Sequence, residues 1–451
     1  MTEEKNLNRL LSVRPHPRQI RYQEREFIGF IHFTVNTFTN REWGDGKEDP
    51  ALFNPDRLDC RQWARTAREA GMKGLILTAR HHDGFCLWPS ATTDHTVRRS
   101  PFRGGAGDVV RELSEACQAE GLEMGIYLSP WDRHSPVYGQ GRAYDDVFVE
   151  QLRELLTDYG DMFCVWLDGA CGEGPDGRKQ VYDWERYYAA IRALQPMACI
   201  CVCGPDIRWC GNERGDTRES EWSVVDARLR DAEKVAGASQ TSDDAAFRER
   251  PLSSSEMDLG SREKIRDARE LCWYPCEVNT SIRPGWFYHP EEDGKVRSAD
   301  WLTDLYLRTV GGNATLLLNL PPDTHGLLPE PDVRVMKEMG RRIRHMFRRD
   351  LLLQEGCFPS WEEGGRVWQV RLPQRAPLGL LSLREDIREG QRVERFRVRL
   401  YLEGRLVRET EGTTVGSRRL VSLGETADRV EVRFEECRGD VRMRDMSVYE
   451  A

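Results

Sequence analysis

Long apolar runs are missing from this 451-residue chain. No stretch approaches the roughly 20 apolar residues that a membrane-spanning helix requires, so no membrane partner is expected. The opening Met1-Thr-Glu-Glu-Lys-Asn6 has neither a basic nor an apolar signal region, and a cytoplasmic location is expected on that ground. A basic patch is missing as well. Arginines are frequent but interleaved with Glu and Asp, and the net charge is −9, which argues against nucleic acid as a partner. Chelating pairs are scarce. Cys272-x3-Cys276 is the nearest approach to one, and no second Cys/His pair has the spacing a four-ligand zinc site needs. The 13 cysteines are odd in number and spread through the chain, so no disulfide framework is expected. Cys199, Cys201 and Cys203 alternate along an apolar run and read as small core residues on one face of a strand. Solenoid repeats and low-complexity tracts are absent.

What is present is a repeating unit. Between about residues 27 and 350, strand-like apolar runs alternate with helical segments. The strands are read at 27–33, 74–79, 123–129, 162–167, 198–203, 273–279 and 314–320. The helices are read at 56–70, 108–120, 145–159, 181–194, 298–310 and 331–347. Runs without polar interruption suggest strands covered on both faces, and right-handed crossovers repeated this often close into a (β/α)8-type barrel. The length suits such a barrel, typically about 250 residues, with a module added. The pattern loosens over 210–265, which is polar and serine-rich. After about residue 351 the texture changes to short alternating runs such as Arg366-Val-Trp-Gln-Val-Arg-Leu372 and Val430-Glu-Val-Arg-Phe434. That period belongs to half-solvated antiparallel strands, so a barrel over 1–350 and a C-terminal antiparallel β-sandwich over 351–451 are expected.

Polar residues gather at the predicted strand ends. The first strand ends in His32, with Glu42-Trp43 in the following loop. The second runs into Arg80-His81-His82-Asp83-Gly84-Phe85. The third ends Tyr127-Leu-Ser-Pro-Trp131-Asp132, and the fourth, Met162-Phe-Cys-Val-Trp-Leu167, ends on Asp168-Gly169. Beyond the fifth comes Gly204-Pro-Asp-Ile-Arg-Trp209-Cys-Gly-Asn-Glu213. Each residue alone has an ordinary explanation: a satisfied core histidine, a packing tryptophan, a helix-capping aspartate. Together they would converge on one mouth, because the C-terminal ends of barrel strands share a face. Tryptophan faces suit the C–H faces of sugar rings, and His, Glu and Asp read hydroxyl arrangements. Two carboxylates then suit glycosidic cleavage. Metal-assisted hydrolysis is the competing chemistry. Adjacent His81 and His82 point in different directions from a strand end, however, and make a poor chelating pair.

The ordered set His32, Glu42-Trp43, His81-His82-Asp-Gly-Phe85, Trp166-Leu-Asp168-Gly169 and Gly312-Asn-x-x-Leu-Leu-Leu-Asn319 resembles the α-L-fucosidases of glycoside hydrolase family 29. The resemblance runs across about 27–350. It implies a barrel with a C-terminal β-sandwich, a fucosylated oligosaccharide as substrate, and a retaining mechanism that uses no metal or other cofactor. Asp168 matches the family's nucleophile. His32, His81, His82, Glu42 and Trp43 match residues that contact the sugar. Gly211-Asn-Glu213 is similar to the subgroup acting on α-1,3/1,4-linked fucose of Lewis-type branches, where that Glu is the acid/base; Glu219, Glu221 and Glu277 are the alternatives. Arg80 departs from the lysine common before the histidine pair but keeps its charge. Tyr127, Trp131, Trp209 and Trp286 are expected as walls of the sugar and leaving-group sites, with Phe33, Phe85 or a tryptophan around the fucose methyl. Nearby histidines are expected to keep Asp168 charged. A broad-specificity α-L-fucosidase and a non-catalytic fucose-binding barrel are the competing readings.

Overall fold

The computed structural model describes residues 3–362 and 364–451. The first ten strands are β1 (Phe27–Ile31), β2 (Gly74–Arg80), β3 (Glu123–Leu128), β4 (Met162–Leu167), β5 (Cys199–Val202), β6 (Arg208–Trp209), β7 (Val224–Asp226), β8 (Leu271–Trp273), β9 (Cys276–Ser281) and β10 (Ala314–Asn319). Eight of them form one parallel sheet in the order β5-β4-β3-β2-β1-β10-β9-β6, while β7 and β8 pair as a separate antiparallel ribbon. A bridge between Cys201 and Ile207 brings β5 back beside β6, so the eight strands make a nearly closed barrel.

Strand alternation sorts the side chains. Ile28, Phe30, Ile76, Tyr127, Cys164, Trp166, Cys199, Cys201 and Leu317 fill the barrel interior. Their neighbours Phe27, Ile31, Leu75, Leu77, Ile126, Val165, Leu316 and Leu318 pack outward under the helices. Cys203 breaks the expected single-face trio. Val202 adopts a φ of 67°, which turns the chain from β5 toward β6 with no intervening helix, and Cys203 joins the outer core. The run expected over 273–279 is likewise split: Trp273 ends β8, and the barrel strand resumes at Cys276 beyond Pro275, which has no N–H to donate.

The outer helices sit within a few residues of their expected positions: Cys60–Ala70, Val109–Glu120, Arg142–Asp158, Trp184–Leu194, Ala299–Thr309 and Glu330–Met346. Asp59, Asp108 and Asp183 each accept a backbone N–H at a helix start. The first helix begins at Cys60 rather than 56 because Asp59 is its cap. Two N-terminal helices, Glu3–Leu11 and Pro17–Arg25, escape the sequence reading. The second closes the floor of the barrel: Tyr22 donates to Glu277, Arg25 pairs with Glu123 at 2.5 Å, and Gln19 donates to the carbonyls of Asp206 and Trp273. Ile20 and Tyr22 are its only apolar contacts, too few for a long hydrophobic stripe, and the polar bonds supplement them.

The C-terminal strands β11 (Ser360–Trp361), β12 (Val367–Glu385), β13 (Val393–Leu402), β14 (Arg405–Gly412), β15 (Arg419–Cys437) and β16 (Met443–Glu450) pair antiparallel. Register shifts in β12 between Arg371 and Ala376 and between Leu378 and Leu380 bend the long strands around a core that includes Leu381, Phe396, Val398, Val430 and Phe434. This is the sandwich expected from the sequence. Asn313, just before β10, ties it to the barrel: its amide N–H donates to the Glu221 carbonyl at 2.7 Å and its Oδ1 accepts from Ser417 at 2.7 Å. All 13 cysteines are free thiols. Among the described residues no helix is long and apolar enough to cross a membrane.

After β9 the loop that reaches the barrel mouth is anchored by Arg283, whose Nε and Nη2 meet Asp332 at 2.9 and 2.8 Å with both side chains fully buried. Removing one partner strands the other charge in a dry interior. Arg283→Met should therefore lose about 3–5 kcal/mol of unfolding free energy in urea melts; a loss below about 1 kcal/mol would show that the pair carries no such weight.

Candidate active site

The carboxyl ends of the barrel strands surround a pocket of about 550 Å³, mouth included. Phe30 and Trp166 form its floor, and His32, His81, His82, Asp168, Glu213, Trp43, Trp209 and Trp286 stand around it. Val202, Ala170, Ser239, Gln240 and Asn279 complete the wall. Residues from separate strands and loops thus meet in one concavity.

Two of the histidines have assignable tautomers. The Ser129 hydroxyl donates to the Trp131 carbonyl at 2.7 Å, so at its other contact, 2.7 Å from His82 Nδ1, the imidazole must be the donor. His82 Nε2 is then a bare acceptor, 3.9 Å from Asp168 Oδ2. His32 follows the same logic. Asn319 spends its amide N–H groups on Ser281 Oγ and the Trp286 carbonyl, so its Oδ1 accepts from His32 Nδ1 at 2.8 Å. Burial pushes His32 down to about 4 and His82 to about 3, and it also lowers His81. The three rings are neutral at physiological pH and offer hydrogen bonds rather than charge. The expectation that histidines hold Asp168 ionised is therefore corrected.

Other groups take that task. Asp168 follows β4 directly, and its side chain is 21 % exposed. Its Oδ1 accepts the Ala170 N–H at 2.8 Å, and its Oδ2 accepts the Tyr127 hydroxyl at 2.8 Å. Burial still raises its pKa, with the N–H groups of Ala170 and Gly169 and the Tyr127 hydroxyl opposing the rise. A Cβ at Gly169 would come 2.2 Å from Ser239 Oγ, so any side chain there would displace that hydroxyl. Glu213 accepts from Trp286 Nε1 at 2.8 Å. Burial lifts it to about 7; the Trp286 bond opposes this and the Asp168 charge adds to it. Two carboxylates thus share the pocket with different proton affinities, the arrangement that separates a nucleophile from an acid.

Several residues singled out in the sequence lie beside the pocket rather than in its lining. Tyr127 stands behind Asp168, with its ring stacked on Trp166 at 5.2 Å. Trp131 backs His82 and donates to the Glu173 carbonyl. Glu42 accepts the N–H groups of Trp286 and Phe287, both at 2.9 Å, and His289 Nε2 at 2.8 Å. Among the alternative acids, Glu277 is sealed inside the barrel under Tyr22 and Trp166, Glu221 is consumed by Arg208 and Arg218, and Glu219 is exposed near the sandwich. Cys210, Glu221 and Cys276 are, among the described residues, the one group close enough to hold an ion. They lie outside the pocket, and those two arginines already occupy the carboxylate. Phe33 and Phe85 pack outward around Phe53; strand alternation puts Phe30 in the pocket instead.

The sequence reading missed Phe30, Asn279, Ser239 and Gln240. Asn279 lies two positions beyond Glu277 on the inward face of β9, and its Oδ1 is buried without a protein partner. The alternation rule applied to that strand would have found it. Ser239 and Gln240 sit in the polar 210–265 stretch, where no periodicity points to them. The tautomers are checked by ¹⁵N spectra of histidine-labelled protein. Between about pH 6 and 8, His32 and His82 should both appear as Nδ1–H imidazoles that do not titrate; a charged ring in that range would refute the assignment.

The α-L-fucosidase family model matches residues 11–345. α-L-Fucosidase 1 of Arabidopsis thaliana is 37% identical over 451 aligned residues, covering 91% of this chain and 83% of its own. The crystal structure of a candidate α-L-fucosidase from Bacteroides ovatus superposes with a TM-score of 0.90 at 44% identity, over 100% of this chain and 76% of that one. A family 29 fucosidase of Ruminococcus gnavus, crystallised with fucose, gives a TM-score of 0.81 at 27% identity over 97% of this chain and 95% of its own. A pocket with two unequal carboxylates at the mouth of a (β/α) barrel agrees with these matches, and the chain belongs to the α-L-fucosidases of glycoside hydrolase family 29, glycosidases that release fucose.

Proposed function

We propose that the chain is a retaining exo-α-L-fucosidase that removes terminal α-1,3/1,4-linked L-fucose from Lewis-type oligosaccharides, with Asp168 as nucleophile and Glu213 as acid/base. The observation that carries this reading is the inequality of the two carboxylates. Asp168 faces the pocket with N–H and O–H donors that favour its charged form, whereas Glu213 has a single donor and is lifted to about 7. In the first step Asp168 attacks the anomeric carbon, and the C–O bond to the leaving sugar breaks as Glu213 gives its proton to that oxygen. In the second step Glu213 takes a proton from water. The resulting hydroxide attacks the anomeric carbon and releases Asp168 together with α-L-fucose.

His32 and His82 present bare Nε2 acceptors to sugar hydroxyls, and His81 and Asn279 supply further polar contacts. Phe30, Trp166 and Trp43 give apolar surface for the ring and its methyl. An extended leaving group has support outside the pocket: Trp209 walls both the pocket and a neighbouring groove lined by Leu229, Val235, Pro251 and Leu259. The division near residue 350 into a catalytic barrel and a buttressing sandwich belongs to the same reading. Asn313 supports the buttress, as does the Arg419 side chain donating to the Glu219 carbonyl at 2.9 Å.

Asp168→Gly should stay folded with almost no turnover; near wild-type rates on a fucosylated trisaccharide would remove it from the role. Glu213→Ala should lose roughly 10²–10⁴-fold on oligosaccharides and less on an aryl fucoside, with azide restoring part of the rate. Because Glu213 holds its proton only below about 7, wild-type activity on oligosaccharides should fall as pH rises through that value. Lewis a and Lewis x trisaccharides should be cleaved at least about tenfold faster than 2′-fucosylated lactose, measured as kcat/KM. Equal rates would favour the broad-specificity alternative.

A further inference from the structure

Beside the pocket lies a chain of polar contacts, buried at Glu42 and open to solvent at Asn40, that the chemistry above does not use. His289 follows the anchored loop, and both of its ring nitrogens meet acceptors. Nδ1 is 2.7 Å from Asn40 Oδ1, and Nε2 is 2.8 Å from Glu42 Oε1. Asn40 turns its amide N–H toward Glu291, which fixes its oxygen toward the histidine. A neutral imidazole has only one N–H to give, so satisfying both contacts requires two ring protons. The charged ring in turn holds Glu42, whose two oxygens also accept the backbone N–H groups of Phe287 and Trp286. Trp286 carries the single donor to Glu213. The contacts therefore form one path, from His289 through Glu42 and the Trp286 backbone to the indole N–H on the acid/base.

We propose that His289, held as an imidazolium between Asn40 and Glu42, is a positioning residue that fixes Trp286 and through it the proton-donating geometry of Glu213. The inference rests on Glu213 being the acid/base. The charges facing His289 favour its protonated form: Glu42, Glu291 and Glu292 raise its pKa, with the hydrogen bond to Glu42 foremost. Burial alone would raise Glu42, but His289, Arg248 and the two N–H groups together hold it below the usual carboxylate range. Arg248 is the other cation near Glu42, at 3.7 Å, and it also engages Asp243 at 3.1 Å. Glu42 is thereby nearly saturated by protein donors, which fits an anchor better than a sugar contact. The charge on His289 is present at low pH and is lost as pH rises through its elevated pKa.

His289→Gln keeps one hydrogen bond and removes the charge. It should lower kcat/KM on a Lewis-type trisaccharide by about 10- to 100-fold, because the proton donor is misplaced. An aryl fucoside with a good leaving group should lose far less. In a Trp286→Phe background, where the indole donor is gone, the same substitution should cost less than about twofold more, since both act on one path. Equal losses on both substrates, or additive losses in the double variant, would overturn the proposal and leave His289 a structural residue. A thermal melt of each variant separates misfolding from these outcomes. Independently of any variant's folding, ¹⁵N spectra of the wild-type protein, with the His289 signal assigned by its loss in His289→Gln, should show that ring doubly protonated near pH 6, and a neutral His289 there would also overturn it. Failure of the acid/base reading looks different: Glu213→Ala would then show no leaving-group dependence and no rescue by azide, whatever His289 does.

Discussion

Removing carboxylates from water is the cost around which this molecule is arranged. A lone buried charge is not tolerated, so each acid at the barrel mouth is either given donors or given a proton. Asp168 takes the first course through Tyr127 and the backbone beyond β4, and Glu42 does so through His289 and the Trp286 loop. Glu213 takes the second, with one donor and a pKa near 7. Unequal numbers of hydrogen bonds thus give the two acids of one pocket unequal surroundings, and the proposed division of roles between them draws on that difference. The same accounting keeps the three pocket histidines neutral, so that they do not compete for the charge.

The barrel scaffold was legible because its signal is long and redundant. Apolar strands recur through most units, aspartates cap three of the outer helices and glycines stop two of them, and every unit supports the next. The C-terminal sandwich was legible for the opposite reason, its strict alternation of charged and apolar residues. The gathering of His32, His81, His82, Asp168 and Glu213 at one mouth followed from a simple rule, that strand ends in a barrel share a face. Applied residue by residue, the same rule places Phe33 outward, because His32 beside it faces inward, and Phe30, two positions before His32, in the pocket.

Other features have no local signature. The floor helix Pro17–Arg25 binds through Gln19, Tyr22 and Arg25 to partners 98 to 255 residues away in sequence, and no hydrophobic stripe announces it. Ser239 and Gln240 reach the pocket from an irregular excursion whose path is set by contacts with Gly169 and Val235. Charge state is equally invisible. Nothing in the string His81-His82 says that burial will strip both rings of their protons, or that His289, far along the chain, will keep both of its own.

Asn313 has a consequence for how such a chain can change over time. It sits in a left-handed turn with φ of 67°, one hand on the carbonyl of Glu221 and the other on the sandwich at Ser417. The segment that follows Glu213 is therefore held, at Glu221, by a residue that also bonds the sandwich. A recombination break at the textural boundary near residue 350 would cut through this three-way joint rather than between two independent parts. Barrel and sandwich have separate cores, yet Asn313 makes each of them part of the other's support.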